Sequence, residues 1–435
     1  MNNNYLKYLF CLAMFHICQP IWVSGQSKPI SLEECIAYAK TNNFIFKIQA
    51  LKNKQAETNF SKQIIRFLPE VNANLNHQYD FGSAIDPNTN SRLSANFQYD
   101  NININAQIHL FNFAELWDSK LQKKDIDIEK ANSKVVEQEY NITLIEKFYT
   151  CLATQEWTSV LRKQIDNTEI QVDRIHKEVN EGLKPESDLY DIQVVYTQEK
   201  KQLQVLEQQY VNKLTELFQW INNPNDSKQY TLIKNTSSDT VDENFKIENS
   251  NQVLLEIEKS KKLELEHHQL IHNFLPRVSL GYAIGTFYSQ QINNIGATSF
   301  NFGSQFRNNK SQYVGLGIQI PIFSRGDNSK ARHVKKIQLA EQNLHIERVK
   351  TEQLNRINNF QNQLSQFKEL ISTLVQANKF AEQSLQTTLT KYEYGKVDIA
   401  SFKTAKNQVL SSSYDIVNND ISIHMIQHIL NELYH

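Results

Sequence analysis

Two hydrophobic periods divide this chain. Between residues 69 and 82 the period is two: Val71, Ala73, Leu75, His77, Tyr79 and Phe81 share one face, while Asn72, Asn74, Asn76, Gln78 and Asp80 share the other. That alternation predicts a strand with one apolar side. Three more such stretches follow, at about 97–113, 276–289 and 312–323. The second sets Ile102, Ile104, Ala106, Ile108 and Leu110 against Asn101, Asn103, Asn105, Gln107 and His109. The third and fourth set Val278, Leu280, Tyr282 and Ile284, then Val314, Leu316, Ile318, Ile320 and Ile322, against mostly glycine and small or polar residues.

Elsewhere the period is seven. Leu121, Ile128, Val135, Ile142 and Tyr149 recur in one stretch, Leu189, Tyr196, Leu203, Tyr210 and Leu217 in the next, and Phe402, Val409, Ile416, Ile423 and Leu430 near the end. Heptads predict helices packed side by side as left-handed coiled coil. Breakers are sparse, so the helices are long. One runs from about 114 to 179, turns at Gly182-Leu183-Lys184-Pro185 and returns to about Trp220; another ends near Tyr392, turns at Gly395 and returns to about Leu430. The first spans roughly 100 Å at 1.5 Å per residue.

The two periods meet at a repeated junction. Phe67-Leu68-Pro69 and Phe274-Leu275-Pro276 each stand where a helical pattern stops and a strand begins. Proline has no N–H to donate and biases the preceding residue away from helix. The chain therefore reads as two copies of one unit: a first repeat over 26–222, a linker over 223–245 and a second repeat over 246–435. Ser31 and Glu34 form a capping box at the start of the first.

Residues 1–25 predict a signal peptide: Lys7, an apolar run from Tyr8 to Cys18, and Val23-Ser24-Gly25 before the cleavage point. Cys18 lacks the preceding small residue of a lipid-anchored leader. Mean hydropathy is −0.53, which argues against membrane helices but says nothing against strands that are half polar. The formal net charge of −1 implies no nucleic-acid surface. Cys35 and Cys151 remain beyond the leader; pairing and two buried thiols are both open.

Strands of this length and alternation suit an outer-membrane barrel. Aromatics gather at both ends of the apolar bands: Tyr79, Phe81, Phe97, Tyr99, Phe287, Tyr288 and Tyr313 toward the loops, Phe67, Phe111, Phe113, Phe274 and Phe323 toward the helices. They predict two interfacial girdles. Four strands cannot close such a barrel, for which about eight are needed, so several chains must pool theirs. The plain alternative, a soluble sheet with one wet face, leaves the leader and the long helices unexplained.

At this point the sequence resembles the TolC-type outer-membrane efflux proteins (the outer membrane factors). The resemblance rests on the two repeats, both Phe-Leu-Pro junctions, the opening Ser31-Leu32-Glu33-Glu34-Cys35-Ile36-Ala37-Tyr38-Ala39 with Asn42-Asn43, and the motif Tyr392-Glu393-Tyr394-Gly395 followed by Phe402 and Ala405. It implies a membrane protein of all-α plus β-barrel class: a homotrimer whose antiparallel coiled-coil helices form an α-barrel in the periplasm, joined to a twelve-stranded β-barrel in the cell outer membrane of a Gram-negative-type envelope. It implies a passive channel for efflux or type I secretion. The partners it implies are a periplasmic adaptor, an inner-membrane pump of RND or ABC type, and outer-membrane lipid.

The resemblance also implies a constriction at the helix tips, here Gly182, Asp188, Asp191, Tyr392, Gly395 and Asp398. Asp188 and Tyr392 stand where a tip contact can form; the plain alternative for Asp188 is helix N-capping. Ser401 and Thr404 occupy positions where some relatives place acids. No catalytic, cofactor or metal site is expected. His268 with His272 and His424 with His428 are i,i+4 pairs without a third ligand or a general-base Glu, and Asp86-Pro87-Asn88-Thr89-Asn90 is an incomplete calcium-loop pattern. Two other functions remain open: a periplasmic adaptor, and a channel specialised for metal cations.

Overall fold

The structure, a computed structural model, describes residues 28–60, 65, 67–85, 90–225, 227–234, 245–292 and 301–434. The expected signal peptide and most of the Asp86–Asn90 segment lie outside them. In chain order the elements are β1 (Lys28–Ile30), α1 (Leu32–Asn42), α2 (Phe44–Asn59), β2 (Glu70–Asp80), β3 (Ser83–Ile85), β4 (Arg92–Ser94), β5 (Asn96–Phe111), α3 (Phe113–Asn180) and α4 (Glu186–Trp220). The second half holds β6 (Tyr230–Leu232), α5 (Asn251–His272), β7 (Arg277–Ile292), α6 (Phe302–Asn308), β8 (Ser311–Gln319), α7 (Asp327–Glu393) and α8 (Ile399–Tyr434). No described helix is long and apolar enough to cross a membrane.

The chain divides into two compact units. One is helical and takes the described residues of Met1–Lys47, Glu139–Glu243 and Asn358–Tyr434. Its core follows helical spacing on α3, where Ile145, Phe148, Tyr149 and Leu152 are all at most 2 % exposed. Fully burying each such side chain contributes roughly 1.5–3 kcal/mol. The capping box closes the start of α1: Glu34 N–H donates to Ser31 Oγ at 3.3 Å, and Ser31 N–H donates to Glu34 Oε2 at 3.0 Å. The linker had no visible period, yet β6 within it pairs in parallel with β1, Pro29 opposite Thr231. The Gln155 amide serves that edge, accepting from Leu232 N–H at 3.0 Å and donating to Leu232 C=O at 2.9 Å. Three-residue strands carry too little pattern to be seen in sequence.

The other unit takes the described residues of Ile48–Gln138 and Asn244–Ile357 and contains an antiparallel sheet of order β2-β5-β7-β8. The register aligns the expected faces. Val71 pairs with Ala106, Ala73 with Ile104 and Leu75 with Ile102, while Asn72, Asn74 and Asn76 pair with Asn105, Asn103 and Asn101. Across the next seam Ile104 meets Ile284, and Leu280 in turn meets Leu316. A one-residue slip would turn every apolar side chain to the amide face, which is why the pairing is specified so well. Glycines on the amide face admit close neighbours: a Cβ on Gly285 would collide with the Asn103 side chain.

Four details depart from the expected pattern. Phe97, Tyr99, Phe287 and Tyr313 are in phase with the asparagine and glycine positions and so lie on the amide face, not in a girdle on the apolar one. Tyr99 stacks on Phe287 at 5.8 Å, and Tyr313 folds over Gly315. Height along a strand and choice of face are independent, and clustering near the loops reveals only the first. A bulge between His109 and Phe111 brings Phe111, rather than Leu110, opposite Val278. The fourth strand ends at Gln319, because Pro321 has no N–H for the ladder, leaving Ile322 and Phe323 92 % and 83 % exposed. Finally, the long loops contain structure: β3 pairs with β4, and α6 lies between β7 and β8.

At the junctions, Pro69 immediately precedes β2 and Pro276 immediately precedes β7. Phe67 and Phe274 are 46 % and 45 % exposed, so neither belongs to a soluble core.

Candidate functional site: the hairpin tips

Within the helical unit, two turns bring the expected tip residues together. Gly182 (φ +73°) follows α3 and Gly395 (φ +66°) follows α7. Each turn is closed by the same pair of bonds: Gly182 N–H donates to Val179 C=O and Leu183 N–H to Glu178 C=O, as Gly395 N–H does to Tyr392 and Lys396 N–H to Lys391. These are Schellman caps, whose left-handed residue favours glycine. Nothing lies within 4 Å of where a Cβ would stand on either glycine, so backbone conformation alone selects them.

Tyr392 lies at the centre. It is 4 % exposed and packs with Ile175, Ile192, Val195 and Phe402. Its ring stacks on Phe402 with centroids 5.6 Å apart, and Lys184 Nζ stands 4.1 Å from the ring centroid. Burial, and then the nearby charges of Asp188 and Asp191, push its phenol up to about 12. The hydroxyl has no hydrogen-bond partner among the described residues. Asp188 and Tyr392 are thus electrostatic neighbours, not bonded partners within the chain.

The tip acids take different roles. Pro185, not Asp188, is the N-cap of α4 and makes no side-chain cap. Asp188 falls in the first turn of α4, its carboxylate 3.8 Å from Lys184 Nζ, where the helix dipole favours an anion. Asp398 does the capping: its Oδ1 accepts from Ser401 Oγ at 2.7 Å and Ser401 N–H at 2.9 Å. Those bonds hold its carboxyl below the usual carboxylate range. Asp191 is exposed.

Two tip features had no sequence signal. Arg174 on α3 pairs with Glu393 on α7, tying one hairpin to the other. Deeper in, Lys406 and Glu199 form an ion pair at 2.8 Å with side chains 5 % and 8 % exposed. Gln164 Nε2 donates to the same carboxylate at 2.7 Å, and Thr168 donates to its other oxygen. Burial lowers the Lys406 pKa, and Glu199 opposes that shift. Lys406 falls between Phe402 and Leu410 in steps of four, a buried row that the heptad count through Val409 passed over.

The histidine pairs pack against aromatic rings. His272 and His268 stack on Trp117 at 4.9 and 6.3 Å, and His428 lies 5.7 Å from Tyr149. His424 lies 3.7 Å from Asp420. Among the described residues no cluster of three or more His, Cys, Asp or Glu is placed to hold a metal. Cys35 and Cys151 are free thiols, both fully buried.

The fold of the whole chain is that of outer-membrane channel proteins. It matches CusC with a TM-score of 0.73 at 13 % identity, over 94 % of this chain and 91 % of that one. It matches the outer membrane protein VceC of Vibrio cholerae at 0.72 and 13 % identity, over 92 % and 95 % of the two chains. The Campylobacter jejuni outer membrane channel CmeC matches at 0.71 and 13 % identity, over 93 % and 86 %. Residues 270–431 match the model of the outer membrane efflux protein family. A search of curated protein sequences found no match.

Proposed function

We propose that this protein is a passive outer-membrane channel of a tripartite efflux or type I secretion system, working as a homotrimer with a periplasmic adaptor and an inner-membrane pump. The observation that carries the reading is the sheet. Its two outer strands, β2 and β8, each have one neighbour among the described residues, and its apolar face exposes Val71, Leu75, Val314, Leu316 and Ile318 by 59–74 %. In lipid, each unpaired backbone group costs several kcal/mol, so an open edge must find a partner. Three chains supply twelve strands, enough for a lumen lined by the asparagine and glycine face. The efflux-protein domain over residues 270–431 supports the channel over the adaptor. In this reading the signal peptide and the two repeats are those set out from the sequence.

The tip residues Gly182, Asp188, Asp191, Tyr392, Gly395 and Asp398 form the periplasmic constriction in this reading, and Phe67, Pro69, Phe274 and Pro276 mark the periplasmic membrane interface. The test is fractionation of the full-length protein with detergent extraction, followed by gels with and without heating and by planar-bilayer recording. The expected result is a heat-modifiable trimer in the outer membrane that conducts ions. A monomer released with the soluble periplasm would overturn it.

A further inference from the structure

The helix α6 and the apolar sheet face together frame a groove. β7 extends seven residues beyond the last pair it makes with β8, Gly285 opposite Ser311, and α6 takes over the edge there. The Gln305 side chain imitates a strand residue, accepting from Ser289 N–H at 3.0 Å and donating to Ser289 C=O at 2.9 Å. Asn309 donates to Phe287 C=O at 2.9 Å, and the Thr286 hydroxyl donates to Phe306 C=O at 2.8 Å. The short helix is therefore pinned to the sheet by four bonds.

Between α6 and the sheet lies a groove of about 330 Å³. Its floor is Ile102, Ile104 and Ile284, its wall is Phe306, and Arg307 and Lys310 stand at its rim. Among the described residues no carboxylate lines it. Asp100, next along the same face, is engaged by His77. An isoleucine floor under two cations would be costly against lipid tails alone, since a charge at the hydrocarbon boundary needs a counter-charge. A solvated loop would have no need of the floor.

We propose that this groove binds a phosphorylated acyl lipid of the outer leaflet, one acyl chain on the isoleucine floor and a phosphate against Arg307 and Lys310. Guanidinium and ammonium groups suit phosphate oxygens, and the groove lies near mid-length of β5 and β7, with α6 and its two basic side chains on the loop side. The proposal rests on the sheet being a membrane wall. It assigns α6 a purpose: holding a lipid headgroup at a fixed height on the barrel.

The test uses the full-length protein in detergent, titrated with diphosphorylated lipid A and read by native mass spectrometry. Comparators are dephosphorylated lipid A and inorganic phosphate. Each basic side chain near an anionic lipid surface is worth roughly fivefold, so removing both with Arg307→Gln and Lys310→Gln is expected to weaken binding by roughly 30-fold. Ile104→Trp, which fills the floor, is expected to weaken it while leaving inorganic phosphate unaffected. Equal retention of lipid A by wild type and the double variant overturns the proposal. So does equal binding of the dephosphorylated lipid, or a double variant that changes only oligomeric state. Bilayer conductance of the same preparations separates the two levels: conducting channels with unchanged lipid retention sink the lipid site alone, whereas failure to insert sinks the membrane reading itself.

Discussion

Tyr392 and Phe402 stack nearly flat, 10° from parallel, across the Gly395 turn. One ring belongs to α7 and the other to α8, so the stack fixes the end of the hairpin from inside. Lys184, from the other hairpin, stands over the Tyr392 ring. Replacing Tyr392 with Ala is expected to destabilise the tip by about 3–5 kcal/mol, the usual cost of emptying a buried aromatic site. In bilayers it should raise single-channel conductance. Tyr392→Phe removes no bond within the chain, so an equal rise for Phe would mean the hydroxyl is used between subunits.

The buried pair Lys406–Glu199 makes a sharper test. Lys406→Met leaves a carboxylate buried without its cation, and thermal unfolding should show a loss of about 3–5 kcal/mol. Adding Glu199→Leu should recover most of that loss, because the penalty lies in the orphaned charge. A double variant no better than the single one would show that the pair itself stabilises the helices.

Asp398 carries a pH dependence. Its folded-state pKa is depressed by the Ser401 bonds, so the folded state binds fewer protons than the unfolded one near the carboxylate range. Its contribution is present at neutral pH and lost as pH falls through the depressed pKa. Asp398→Asn, which can still cap, should flatten that part of the acid-melting curve; an unchanged slope would remove Asp398 as the source.

Burial pushes the Cys35 and Cys151 thiols up to about 12. Thiolate is the reactive form. An alkylating reagent in mildly alkaline buffer should therefore leave both unmodified in the folded protein and modify both in denaturant. Failure to label in denaturant without reductant would reveal a disulfide.

The two tip glycines can be separated from packing. A left-handed conformation costs a residue with a Cβ roughly 1–2 kcal/mol, and nothing stands near the added atom. Gly182→Ala and Gly395→Ala should each lose about that much in thermal stability, while Asn at either position should lose less.

Period and punctuation were enough to reveal the strands, the long helices and the turns. Alternation in residues 71–81 dictates one apolar face whatever the surroundings, and a glycine after a long heptad run dictates a turn. The residues around the tip were legible for the same reason: Gly182 and Gly395 mark it, and Asp188, Tyr392 and Asp398 lie within a few residues. What each side chain touches was not legible. Asp188 and Asp398 look alike in the chain, yet only Asp398 caps a helix, because Pro185 occupies the capping position before α4. The face of Tyr99 and Phe287 followed from register, the ion pairs Arg174–Glu393 and Lys406–Glu199 from which helices become neighbours, and α6 from an unpaired stretch of β7 that needed an edge partner. Local period is a property of a few consecutive residues; partners distant in sequence are set by packing, which only the folded chain decides.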